Sequence, residues 1–263
     1  MRFTSHHVAF EYDDVGNGVP LLLVHGFPLD RSLWRWQIEG LQSVARVIVP
    51  DLRGFGQSAD APETMAMDDY AADLKALLDS LNVKQVVVCG LSMGGYIALA
   101  FLARYPGLVK GLILANTRAG ADSEPAREAR YATAQKALDE GAPAIAEAML
   151  PKMLTEATLA NRASLVAYVR SLMAHQRPGG VAAALRGMAA RPDRGEWIKA
   201  INIPTLIITG SADTLIPPSE SEAMQKAIAG SKLVVIPDAA HLSNVENPDA
   251  FNTAVREFIA KLK

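Results

Sequence analysis

The sequence predicts an α/β protein built on a largely parallel sheet, and three observations predict it. Short apolar runs recur along the chain, amphipathic helical stretches separate them, and one long stretch carries helical patterning alone. The runs lie at 19–25, 45–50, 85–89, 109–115, 204–209 and 232–237. They are continuous in Val, Leu and Ile, as in strands covered on both faces. Residues 6–12 are less apolar and fit an antiparallel edge strand, with His6 and His7 at its surface.

The helical stretches are amphipathic. Tyr70, Leu74, Leu77, Leu78 and Leu81 recur at helical spacing, with Asp73, Lys75 and Asp79 on the opposite face. A similar stripe, Phe251, Val255, Phe258, Ile259 and Leu262, follows Asn247 at an N-cap position and Pro248 at the first helical position. Strands alternating with helices imply right-handed crossovers. Residues 119–195 break the alternation: rich in Ala, Arg, Met and Leu, they read as consecutive helices punctuated by Pro143, Pro151, Pro178 and Pro192. An all-helical block of this kind reads as an insertion, leaving 1–118 and 196–263 as the α/β core.

Composition narrows the function classes. The 263 residues are half hydrophobic and carry a formal net charge of −2, which gives no electrostatic reason to expect nucleic acid or an anionic membrane as partner. No segment approaches the ~18 consecutive apolar residues of a membrane span. The N-terminus does not resemble a signal peptide, and the one cysteine, Cys89, fits a reducing compartment, so a soluble cytoplasmic protein is expected. No zinc-like spacing, EF-hand loop, P-loop or dinucleotide-binding glycine pattern is visible.

The chemistry centres on Gly90-Leu91-Ser92-Met93-Gly94-Gly95, which follows the 85–89 run and precedes a helix-like run at 96–104. This strand–turn–helix context is what a G-x-S-x-G nucleophile elbow requires. The turn is so sharp that side chains at both flanking positions would collide, hence Gly90 and Gly94. It lifts the Ser92 hydroxyl out of the sheet and aims the Met93 amide, at a helix N-terminus, at a reacting oxygen.

A serine hydroxyl needs a base. His241 follows the 232–237 run, on a loop at a strand end where α/β sites collect. Asp213 follows the 204–209 run and supplies the carboxylate that fixes the imidazole tautomer. Asp238 is the rival, but it lies too close in sequence to His241 for comfortable approach on a short loop. His25-Gly26-Phe27-Pro28 ends the first strong strand, and the Phe27 amide is the candidate second oxyanion donor, with His25 as a buried structural residue. His175 reads as structural or pocket-lining. Trp34, Met93, Met149, Met153, Leu154, Met173 and Met188 are candidates for an apolar acyl pocket, although packing of the insertion's helices on the sheet is the commoner reason for most such residues.

These motifs together resemble the α/β-hydrolase superfamily over nearly the whole chain. His25-Gly26-Phe27-Pro28 resembles its oxyanion loop, and residues 51–58 resemble its D-x-R-G-x-G-x-S turn, in which Asp51, Arg53 and Ser58 read as structural. The order Ser92, Asp213, His241 is that of the superfamily's triad. The resemblance implies an eight-stranded, mostly parallel sheet with a helical cap after the sixth strand, where residues 119–195 fall. Ser92 in place of Asp argues against alkyl-enzyme chemistry, and there is no H-G-G-G run.

Within the superfamily the chain is similar to small carboxylesterases and 3-oxoadipate enol-lactonase-like hydrolases. The expected activity is hydrolysis of small, largely apolar carboxylic esters through an acyl-enzyme on Ser92, with neither metal nor organic cofactor. Lactone hydrolysis is the alternative within the class, and Arg118 is its possible cationic partner. Carbon–carbon hydrolysis and perhydrolysis are open to the same triad. A ligand-binding receptor or regulator with little turnover is the alternative of a different class.

Overall fold

Along the central strands, side chains alternate between two apolar layers. Leu22, Val24, Ile48, Val86, Val88 and Leu112 enter one, and Leu21, Leu23, Val47, Val87, Cys89 and Ile113 enter the other. Both faces are dry, which is why these strands read as unbroken apolar runs. The computed structural model describes residues 1–5 and 8–262. Its eight strands are β1 (Arg2–Ser5), β2 (Val8–Val15), β3 (Val19–Val24), β4 (Ala45–Pro50), β5 (Val86–Leu91), β6 (Val109–Ala115), β7 (Thr205–Gly210) and β8 (Lys232–Ile236).

They form one sheet in the order β1-β2-β4-β3-β5-β6-β7-β8, antiparallel at β1/β2 and β2/β4 and parallel elsewhere. The expected edge strand is corrected here. β2 is antiparallel as anticipated, but β1 pairs along its outer side and forms the edge. Arg2-Phe3-Thr4-Ser5 is too short and polar to signal a strand by pattern. The expectation for His6 and His7 lies outside the described residues.

The helices are α1 (Arg35–Leu41), α2 (Met67–Ser80), α3 (Met93–Arg104), α4 (Glu124–Glu140), α5 (Ala142–Met153), α6 (Glu156–Asn161), α7 (Ala163–Ala174), α8 (Pro178–Ala189), α9 (Pro218–Ala227), α10 (Ser243–Glu246) and α11 (Pro248–Ala260). Buried residues of α2, α3 and α9 share one apolar layer with the sheet, and those of α1 and α11 share the other. Asn247 caps α11 by accepting from the Ala250 amide at 3.3 Å, with Pro248 at the first turn. Among the described residues no helix is long and apolar enough to cross a membrane.

Two features of this frame position the site. The chain runs from β3 out to β4 and then returns to the other side of β3 with β5, so the strand order reverses between β3 and β5. Loops leaving such a switch point diverge and open a crevice at the strand ends. These loops carry His25-Gly26-Phe27 and Ser92. Helices α4 to α8 run between β6 and β7. Helix α8 is seated directly on the core: a Cβ at Gly187 would overlap the Met65 carbonyl, and the Met65 amide donates to Ala183 O at 3.2 Å.

Candidate active site

Ser92 lies between the end of β5 and the start of α3, at φ 56° and ψ −115°. Few non-glycine residues hold a positive φ, and such strain persists only where the surroundings over-determine it. Here they do. The Ser92 amide donates to Ala115 O at 2.9 Å, and Thr117 Oγ1 donates to Ser92 O at 2.8 Å. A Cβ at Gly90 would overlap the Gly94 backbone, and one at Gly94 would overlap the Val24 carbonyl. The turn closes only because both are glycine.

The 25–28 loop packs against this turn. A Cβ added at Gly26 would stand 3.3 Å from Ser92 Cβ. The loop is held by His25, buried, whose Nε2 accepts from the Leu52 amide at 3.0 Å and whose Nδ1 lies 3.0 Å from Gly26 O. The accepting Nε2 leaves the proton on Nδ1, and burial pushes the imidazole pKa down, keeping it neutral. The amides of Phe27 and Met93 donate to no other described residue.

Asp213 and His241 meet at the ends of β7 and β8. His241 Nδ1 lies 2.9 Å from Asp213 Oδ2, and both side chains are fully buried. Asp213 Oδ1 accepts from the amides of Leu215 and Ile216, both at 3.0 Å. Burial alone would raise this carboxyl, but the hydrogen bonds from His241, Ile216 and Asn116 outweigh it and hold it below the usual carboxylate range. His241 Nε2 is buried and finds no partner among the described residues. The rival Asp238 is exposed, and its carboxylate does not reach His241. Because β5, β6, β7 and β8 are neighbours in that order, Ser92, Asp213 and His241 sit on successive strand ends with Asn116 among them.

Two polar residues here were not anticipated. Asn116, directly after β6 at φ 46°, donates to Asp213 Oδ2 at 2.9 Å and to Ala240 O at 3.2 Å. Its Oδ1 accepts from Ser243 Oγ at 2.6 Å, so one side chain ties β6, Asp213 and the His241 loop together. Glu246 is buried and joins that loop to the α5–α6 junction. Its Oε2 accepts from the Ala240 amide at 2.6 Å, and its Oε1 accepts from the Thr155 amide and hydroxyl at 2.8 and 2.9 Å. Leu242 N donates to Met153 O at 3.0 Å beside it. A polar residue just past a strand end was the available signal for Asn116. For Glu246 it was a carboxylate immediately before the Asn247-Pro248 helix start.

Asp51 accepts from the amides of Arg31 and Gln57, both at 2.8 Å, and Ser58 Oγ bridges the Asp51 carbonyl and the Glu11 amide. Arg53 pairs with Asp73 on α2. All three hold loops. His175 is exposed at the end of α7.

A cavity of about 480 Å³ opens beside Ser92, bordered by Phe27, Tyr96, Arg118, Asp122, Arg130, Met149, Lys152, Leu185, Met188 and Ile216 among others. Of the pocket residues anticipated from sequence, Met149 and Met188 line it. Trp34, Met153, Leu154 and Met173 do not: they are buried in the second apolar layer, Trp34 against Phe251 at 6.0 Å. Met93 is likewise buried in the core. The cavity wall is mostly apolar, and Arg118, Asp122, Arg130 and Lys152 add charge to it, which the expectation of an apolar pocket does not include. Apolar periodicity marks a buried face without saying whether it meets a core or a cavity.

The model of the α/β hydrolase fold family matches residues 19–248. 3-Oxoadipate enol-lactonase 2 from Acinetobacter baylyi is 30% identical over 254 residues, covering 96% of this chain and 93% of that protein. A malate-bound thermophilic esterase from Thermogutta terrifontis superposes with a TM-score of 0.97 at 43% identity, over 100% of this chain and 99% of that one. The enol-lactonase from Burkholderia xenovorans does so with a TM-score of 0.92 at 30% identity, over 99% and 100% of the two chains.

Proposed function

The chain belongs to the α/β-hydrolase family, and on that premise we propose that it is a serine hydrolase of small carboxylic esters. The observation that carries this reading is the buried Asp213–His241 pair, with His241 Nε2 unpartnered, at the ends of β7 and β8 on the same side of the sheet order as β5, after which Ser92 borders the cavity. In the proposed reaction His241 Nε2 takes the Ser92 proton as Oγ attacks the ester carbonyl. The oxyanion settles on the free amides of Phe27 and Met93, each such donor being worth ~2.7–4 kcal/mol. His241 then protonates the leaving alcohol, and a water activated by the same imidazole releases the acid. Asp213, held ionised by its donors, keeps the proton on Nδ1 and stabilises the imidazolium. Helices α4 to α8, within residues 119–195, act as a cap that closes the cavity over Ser92.

The enol-lactonases among the relatives support a second reading, the opening of a lactone by the same acyl transfer. The leaving alkoxide then stays attached to the acyl group.

Ser92→Ala tests the proposal. Hydrolysis of p-nitrophenyl butyrate should fall by roughly 10⁶-fold while the circular dichroism spectrum is retained. A fluorophosphonate probe should label the native protein and not the variant. Near-native turnover by Ser92→Ala would defeat the reading, and a native protein that resists the probe would point to a receptor that binds without turnover.

A further inference from the structure

Three cations, Arg118, Arg130 and Lys152, border the Ser92 cavity, together with one carboxylate, Asp122. Asp122 is already satisfied without them. Arg191, buried, donates to its two oxygens at 2.7 and 2.9 Å. The same guanidinium donates to Met188 O at 2.8 Å and Gly120 O at 3.0 Å, and it lies 4.2 Å from the Tyr96 ring centroid. Arg191 and Asp122 thus form a two-pronged structural pair.

Arg118 and Arg130 then crowd onto the same carboxylate, which Arg191 and Arg130 hold well below the usual carboxylate range against its burial. Glu220 faces Arg118 and Asp193 faces Arg191, but neither borders the cavity. Lys152 is exposed and pairs with no carboxylate among the described residues. The cavity wall is left positive. It also holds a spare donor: Arg118 reaches Asp122 through Nη2 alone, and its Nη1 has no partner among the described residues. A guanidinium offers five N–H groups in a planar fork that matches a carboxylate. Like charges gathered at a cavity wall repel one another unless an anion sits between them.

We propose that Arg118, Arg130 and Lys152 form a subsite for a free carboxylate on the acyl part of the substrate. The preferred substrates are then monoesters of short dicarboxylic acids. This rests on the ester-hydrolase reading above. An anchor on the acyl part serves both half-reactions, since the acyl group stays on Ser92 after the alcohol has left.

The test compares monoethyl succinate with ethyl levulinate, which replaces the carboxylate by an uncharged acetyl group of nearly the same shape. The native enzyme should favour the anionic ester in kcat/KM by at least about tenfold, the scale of one charge-assisted hydrogen bond. That ratio should fall toward one in Arg118→Met, and it should fall in part in Lys152→Gln, which alters an exposed, unpaired side chain. Because the readout is a ratio within one preparation, loss of folded enzyme does not move it. Equal rates on the two esters in the native enzyme would overturn the subsite and leave the ester hydrolase standing. A preference that survives in both variants would also overturn it. If neither ester is turned over, the ester-hydrolase reading fails and the subsite falls with it.

Discussion

Ser92 and Arg118 border the same cavity, yet they are held in different ways. Ser92, Asp213 and Asn116 are fixed from the backbone outward: each follows a strand end, and each polar atom of Asp213 is met by a named donor. Arg118 and Arg130 are held by charge, on side chains about a quarter exposed, and share a single carboxylate with Arg191. In the first region geometry is set by the hydrogen-bonded sheet. In the second it is set by long side chains, several of them from the helices between β6 and β7. On the proposed function, the reacting groups are preorganised, while the groups proposed to meet the rest of the substrate sit on adaptable side chains.

Substitutions can break that contrast or sharpen it. The largest effect is expected at the sheet end. Asp213→Asn preserves the shape but lets His241 take the wrong tautomer, and kcat should fall by about 10⁴-fold with the fold intact. Steady-state kinetics on a p-nitrophenyl ester checks this, and a loss under tenfold would mean that Asp213 does not orient the imidazole.

At the wall, Asp122→Asn should act on stability instead. It leaves Arg191 buried without its counter-ion, at a cost of about 3–5 kcal/mol in urea unfolding. The folded-state carboxyl is depressed, so its stabilisation is present above the ordinary carboxylate range and fades as pH falls through the folded value. Variant and native protein should therefore differ most at neutral pH and converge in acid. A gap that widens on acidification would contradict this.

The smallest effect is expected where the two regions join. Glu246→Gln replaces one acceptor oxygen by a donor, so either the Ala240 or the Thr155 amide loses its partner. The cost should be about 1–3 kcal/mol. A fall in kcat larger than the fall in stability explains would show that α5 and α6 help to hold the His241 loop.

The same contrast decides what could be read from the chain. Ser92, Asp213 and His241 stand out as candidates because each follows a valine- or isoleucine-rich run, and position after a strand is a local property. Asn116 obeys the same rule, but an amide supplies neither the nucleophile, the base nor the carboxylate that the proposed triad needs. The Arg118–Asp122–Arg130–Arg191 cluster was not legible, although Arg118 was noticed as a lone cation. Arg191 lies on the far side of the 119–195 helices from Asp122, and nothing in a run of consecutive amphipathic helices says how they fold back on one another. Trp34 and Met173 differ from expectation for a related reason: they are buried in the second apolar layer and not at the cavity.

Cys89, the only cysteine, lies fully buried in β5, and burial pushes its thiol pKa far up. The folded protein is therefore a silent background for thiol-directed labels. One cysteine introduced at an exposed point of α4, such as Tyr131, would carry a fluorophore or spin label alone. Any travel of that helix during turnover could then be followed by spectroscopy without first rebuilding the protein.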